Sequence, residues 1–320
     1  MRILILLLLT ATLALPEPLP TRARPAPVRT IRVSVRPQAE PEHILRPTEF
    51  AVRVNGKPAP VVSEKSPLDA QMILVVLDLA GDLTNAQAAK DALAAELTQL
   101  PVSTLVALIR AQDGPSVLVD PTTDRARISD AIQSSPVTGK AGLLDSLVEI
   151  ETLADSISRA SNVRVATFYV TDSSVSNYRE DFSNPVINSS DSHDLSRRFP
   201  SALIDEKINK LESEIAVRET PLYIAHLRYS TSTLGAAYQT GLKRLAELTG
   251  GWSDFCASTS EIPGAIRDGL AAITSEYTLT VGLPQKLSPA LQIRVDTPGE
   301  GLAYRSRLTL NQGKSGEAKR

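Results

Sequence analysis

The chain has 320 residues, with 34 Lys and Arg against 36 Asp and Glu, for a formal net charge of −2. Hydrophobic residues make up 42% and charged residues 22%, enough apolar material for one large packed domain or two small ones. Both signs of charge are spread along the sequence, and without a concentrated basic face a nucleic-acid partner is excluded.

The first residues read MRILILLLLTATLALPEP: Arg2, an uninterrupted apolar run over 3–9, and small residues at Thr12 and Ala14. This is the pattern of a secretory signal over 1–14. The run is shorter than the roughly 20 residues that a bilayer span takes, so no stable membrane span is expected after cleavage. The sequence therefore predicts export, to the periplasm or outside the cell. Residues 15–28 are rich in proline and predict an extended, solvated linker.

Residues 29–67 predict β strands. TIRVSVRP alternates at period two, and EFAVRVNGKPAPVV is a hairpin signal around Asn55-Gly56, with Pro58 and Pro60 marking a sheet edge. Over 68–275 strands alternate with helices. MILVVLD, TLVALIR, VRVATFYVTD and PLYIAHLRY are apolar runs of the kind covered on both faces, and SVLVD is a short strand. Helical spacing predicts helices over 84–100, 124–132, 142–157, 203–217, 236–248 and 262–273, with Gly250-Gly251 as a C-terminal stop. From 276 to 311 the period returns to two in EYTLTVGL, LQIRVDT and LAYRSRLTL, and 312–320 is a polar tail predicted to be disordered.

The predicted fold class is α/β: a Rossmann-like, mainly parallel sheet with helices on both faces, inserted in a small β domain built from the N- and C-terminal strands. One long irregular segment, 173–200, follows the end of a parallel strand, where open α/β sheets place their ligands.

Three carboxylates are expected at that carboxyl edge. Asp78 ends ILVVLD, Asp82 follows in the next loop, and Asp172 ends VATFYVTD. Carboxylates on adjacent strand ends supply oxygen ligands to hard divalent cations, and uncompensated they raise each other's pKa. The alternative for Asp78 is a strand-end residue that caps loop amides with no ion, and this fits Asp172 as well, with Ser173 and Ser174 offering further local hydrogen bonds.

The strand ending in ILVVLDLAGD resembles the first motif of a von Willebrand factor type A (VWFA) domain. LRPTEFAVRVNGKPAPV before it, and RLAELTGGW, AIRDGLAAITSEYTLTV and LQIRVDTPGEGLAYRSR after it, are similar to a narrower VWFA-related group abundant in Acidobacteria. The resemblance covers roughly residues 30–307. It implies a metal-ion-dependent adhesion site built from Asp-x-Ser-x-Ser, a Thr from a loop before a helix, and a later Asp. Carried over residue by residue, Asp78 and Asp172 match the two aspartates. Ala80 stands at the first Ser, Asp82 at the second, and Ala141, in GKAGLLDSL, at the Thr. Two ligand positions have lost their oxygen, and one hydroxyl has become a carboxylate.

The expected function is thus a non-enzymatic interaction module for a protein partner, with a degenerate site formed by Asp78, Asp82 and Asp172. The partner-binding edge would be Asp78, Ala80, Asp82, Lys140, Ala141, Asp172, Ser173 and Ser174. The expected cofactor is none, or a weakly bound Mg²⁺, Mn²⁺ or Ca²⁺. The alternatives are a metal-dependent hydrolase at the same edge and a structural envelope module with a vestigial site.

Other signals are set aside. Ser190, Asp191, Ser192, His193 and Asp194 hold the letters of a hydrolase triad, but triads meet in space and there is no Gly-x-Ser-x-Gly turn. TGKAG lacks the first Gly and the Ser or Thr of a phosphate loop. His43, His193 and His226 have no zinc spacing, and His226 reads as a packed strand residue. Trp252 reads as core or rim. Cys256, the single cysteine, has no obvious neighbour to lower its pKa.

Overall fold

The computed structural model describes residues 29–36, 43–178, 200–283, 290–296 and 306–309. The segments at 1–14, 15–28 and 312–320, and the Ser190–Asp194 cluster, lie outside the described residues.

Four short strands come first: β1 (Thr30–Val35), β2 (Ala51–Val54), β3 (Lys57–Ala59) and β4 (Val61–Lys65). Asn55 and Gly56 join β2 to β3 with φ of 50° and 78°, both in the left-handed region that a two-residue hairpin of this twist requires. The central sheet follows: β5 (Gln71–Asp78), β6 (Thr104–Arg110), β7 (Ser116–Thr122), β8 (Arg164–Thr171), β9 (Leu222–His226) and β10 (Trp252–Phe255). Their order is β10-β9-β8-β5-β6-β7, all parallel except the antiparallel edge strand β7.

Every residue of β5 and β8 is buried, which is why both read as continuous apolar runs. Alternate side chains of β5 enter different cores. Ile73, Val75 and Leu77 pack with α1 (Leu83–Gln99), α2 (Arg125–Ser134) and α6 (Ile262–Thr274). Met72, Leu74 and Val76 pack on the other face with α3 (Leu143–Ala160), α4 (Pro200–Ile215) and α5 (Thr233–Thr249).

The chain ends then come together. β11 (Tyr277–Gly282) inserts between β1 and β4, and β12 (Ala290–Asp296) pairs with both β2 and β13 (Ser306–Thr309). The N- and C-terminal strands therefore form two small sheets over one shared core, which includes Val33, Val52, Leu279 and Ile293. The sequence pattern does not foresee β10. It is a half-buried edge strand of four residues, Trp-Ser-Asp-Phe, with neither an apolar run nor a clean alternation. Gly251 lets it lie close to β9, since a Cβ there would stand 1.8 Å from the Leu222 carbonyl oxygen.

A buried network fixes both crossings between the central sheet and the small sheets. Arg164 donates to the carbonyl of Glu276 (2.6 Å) and to Pro67 O and Gln71 Oε1, while Gln71 Nε2 donates to Ile273 O. Tyr223 donates its hydroxyl to Glu276 Oε2. Burial pushes the Glu276 carboxyl pKa up, against the hydrogen bond from Tyr223 and the charge of Arg164. Replacing Arg164 by Met leaves the Glu276 and Pro67 carbonyls and the Gln71 side chain without their buried donor. Urea denaturation of Arg164→Met is expected to show a loss of about 2–4 kcal/mol, since each buried acceptor left unpaired costs about 1–3 kcal/mol. A loss below about 1 kcal/mol would mean that the network holds nothing together.

Candidate functional site

Asp78 and Thr171 are register partners at the carboxyl ends of β5 and β8, so Asp78 and Asp172 sit side by side at the sheet edge. Asp78 is fully buried. Its Oδ1 accepts the Gly142 N–H (2.7 Å), and its Oδ2 accepts the Leu143 N–H (3.2 Å) and the Thr171 hydroxyl (2.9 Å). Gly142 is the N-cap of α3 and has no side chain to satisfy the helix's first amides. The carboxylate of Asp78 does that from another strand, placing negative charge where the helix dipole favours it. A larger residue does not fit at 142, because its Cβ would meet the Ala111 carbonyl oxygen at 2.1 Å.

Asp172 is 7% exposed and holds a second set of amides. Oδ1 accepts from Ala80 (2.8 Å), and Oδ2 from Gly81 (2.7 Å) and Asp82 (3.0 Å), three consecutive N–H groups around one carboxylate. Asp82 turns the other way and caps α1, accepting from the N–H groups of Thr84 (2.9 Å) and Asn85 (3.2 Å). Burial pushes the Asp78 carboxyl up to about 6. The bonds from Gly142 and Thr171 oppose this, and the charge of Asp172 adds to it.

These residues do not fit a divalent cation. All four oxygens of Asp78 and Asp172 face N–H or O–H donors, and Ala80 and Ala141 offer no side-chain oxygen, whereas such ions want about six oxygen ligands. Among the described residues no group of three or more His, Cys, Asp or Glu is arranged to hold a metal.

The expected edge divides by depth. Asp78, Ala141, Asp172 and Ser173 are buried, Ala80 and Ser174 are half-buried, and Asp82 and Lys140 are exposed. Lys140 lies on a loop clamped by Asp113, whose Oδ1 accepts the Lys140 N–H (2.8 Å) and whose own N–H donates to the Lys140 carbonyl (3.0 Å).

Behind Asp172 the side chains form a chain of hydroxyls. Thr171 Oγ1 lies 2.8 Å from Ser173 Oγ, which lies 2.8 Å from the Tyr238 hydroxyl on α5. His226 is buried beside it, between the rings of Tyr238 and Phe255. Its Nε2 bonds the Ser173 carbonyl (2.7 Å), and its Nδ1 accepts the Arg228 N–H (3.2 Å), which fixes the neutral tautomer protonated on Nε2. Burial pushes its pKa down. The imidazole is thus committed to the backbone and not to the Ser173 hydroxyl, so the two are no nucleophile–base pair. Cys256 is buried, and burial pushes its thiol up to about 11, which leaves it unreactive.

The sequence singled out the carboxylates but missed their donors. A helix whose N-cap is glycine, with no Ser, Thr, Asp or Asn to serve it, was the available signal for an external cap on α3.

No family model matches the sequence, and no match was found among curated proteins. Solved structures similar in fold include a von Willebrand factor type A protein from Catenulispora acidiphila. It has 9% identity and a TM-score of 0.46, with 88% of this chain and 73% of that one covered. Solved von Willebrand factor type A structures are similar to this chain in fold. The VWA2 paralogue of ArnB from Sulfolobus acidocaldarius has 11% identity and a TM-score of 0.42, covering 88% and 76%. The vWF domain of the type V pili tip protein Mfa5 from Porphyromonas gingivalis has 12% identity and a TM-score of 0.40, covering 63% and 94%.

The carboxyl pKa of Asp78 has a consequence for stability. Its folded value of about 6 lies above the unfolded value of about 3.9, so the native state binds the proton more tightly. That stabilisation is complete at low pH and is lost as pH rises from about 4 to about 7. In chemical denaturation, the stability of the wild type minus that of Asp78→Asn is expected to fall by about 3 kcal/mol over this range. Glu151, which burial also pushes up, to about 7, is common to both proteins and cancels. A pH-independent difference would refute the account.

Proposed function

We propose that the chain is an exported, non-enzymatic protein-interaction module of von Willebrand factor type A kind, in which the metal-ion-dependent adhesion site is degenerate. The observation that carries this reading is the use made of the carboxylates. Asp78, Asp172 and Asp82 each hold two or more backbone amides, and the positions that would supply neutral hydroxyl ligands are Ala80 and Ala141. The ion's task of drawing the loops together is performed here by hydrogen bonds. The surface left for a protein partner is the rim of that edge: Ala80, Asp82, Lys140 and Ser174.

Export rests on the signal pattern over 1–14, with the periplasm or the extracellular space as destination. Among the described residues no helix is long and apolar enough to cross a membrane.

Two measurements test the reading. Mg²⁺, Mn²⁺ and Ca²⁺ at about 1 mM are each expected to move Tm by less than about 1 °C, as for ligands with Kd far above that concentration. A larger shift that vanishes in Asp78→Ala would restore a working ion site. In a pull-down with the tagged chain, the same partner is expected with and without chelator. It is expected to be lost in the double variant Asp82→Asn, Lys140→Glu, in which Asn keeps the cap on α1. No partner in either condition would favour a purely structural module.

A further inference from the structure

Beside the carboxylate edge, a cleft of about 470 Å³ opens between the ends of β8 and β9 and the start of α5. Its walls include Ser173, Arg228, Ser230, Ser232 and Gln239. We propose that this cleft binds a small oxyanion-bearing molecule, a carboxylate or a phosphate ester, held by the N-terminal amides of α5, Arg228 and Gln239.

Independent observations converge on one ligand class. The first is the helix end. α5 runs for 17 residues, and its N-cap Ser232 serves only the Gly235 N–H (3.1 Å) through its hydroxyl and the Ala236 N–H (2.8 Å) through its carbonyl. The N–H groups of Thr233 and Leu234 have no acceptor among the described residues, and Leu234 lines the cleft at the positive end of the helix dipole. Gly235 keeps the approach tight: a Cβ there would meet Ser230 Oγ at 2.1 Å, so the 230–232 loop folds directly against the helix.

The second is Gln239, one turn further along the same face of α5. It is 7% exposed and lines the cleft, and its carboxamide makes no hydrogen bond among the described residues. With the rest of the side chain buried, what its carboxamide has left to bond is whatever fills the cleft. Gln239 is placed to donate to a ligand oxygen or to accept from a ligand hydroxyl.

The third is charge. Arg228 is exposed at the mouth and forms no salt bridge among the described residues. The carboxylate felt at neighbouring His226 is that of Asp172, which is already bound by three amides. Both nitrogens of His226 are committed to the backbone, so it adds no charge. The cleft volume lies in the range of small-molecule sites. The proposal needs neither a metal nor a protein partner, so its failure and that of the adhesion reading are separate.

The test is a titration of the ¹⁵N-labelled protein with sodium acetate and with inorganic phosphate, against sodium chloride at matched ionic strength. The amide signal of Leu234 and the side-chain NH₂ of Gln239 are followed by NMR. Saturable shifts with acetate or phosphate, but not chloride, are expected, and the tighter probe separates a carboxylate from a phosphate ligand. Arg228→Ala and Gln239→Leu are each expected to weaken binding roughly tenfold, while Arg267→Ala, at an exposed cation on α6, leaves it unchanged. Arg228 is exposed, so its variant carries the test if Gln239→Leu does not fold. Linear shifts equal to those in chloride, or saturable shifts indifferent to Arg228→Ala, would overturn the proposal.

Discussion

The carboxylate of Asp78 is the constraint around which the sheet edge is arranged. It ends the central strand β5, fully buried, where an unpaired charge would be costly. Three donors answer it: two amides of the α3 N-terminus and the Thr171 hydroxyl from β8. Each donor sets a further condition. α3 must start directly beneath the end of β5, so residue 142 must be glycine to pass the Ala111 carbonyl. The loop before it must be held in register, which the Asp113 clamp on Lys140 does. Ala141 is buried by the same packing. Asp172 repeats the arrangement for the loop after β5, gathering the amides of residues 80–82.

Much of this fold was legible in the sequence because burial leaves a period. β5 and β8 read as buried strands since both faces are covered, and Asn55-Gly56 read as a hairpin since the turn demands φ above zero. The return to alternation after α6 announced that the chain ends would meet. β10 was not legible, because four half-buried residues carry no period. At the edge, the sequence identified the carboxylates and left open whether they serve an ion or amides. The partners that decide between these uses are backbone N–H groups, which every residue but proline possesses and no sequence pattern marks. Gln239 was invisible for a related reason: a glutamine on a helix reads as solvent-facing until a cleft is built around it.

The two units of the chain depend on a different kind of contact. The segment leading into β5 and the residue leading out of α6 both converge on Arg164, whose guanidinium donates to oxygens of Pro67, Gln71 and Glu276. An arginine suits this place because its planar fork reaches several acceptors at once. The small sheets are therefore anchored to the amino end of the central sheet, opposite the carboxylate edge.

The hydroxyls of Thr171, Ser173 and Tyr238 link this buried charge to the wall of the cleft. A hydroxyl has one proton to give. Thr171 Oγ1 stands within donating distance of both Asp78 Oδ2 (2.9 Å) and Ser173 Oγ (2.8 Å), so its single proton serves one of them at a time. The row works as a mooring line: it ties the end of β5 through β8 to α5, so the wall of the cleft cannot shift without pulling on the sheet edge.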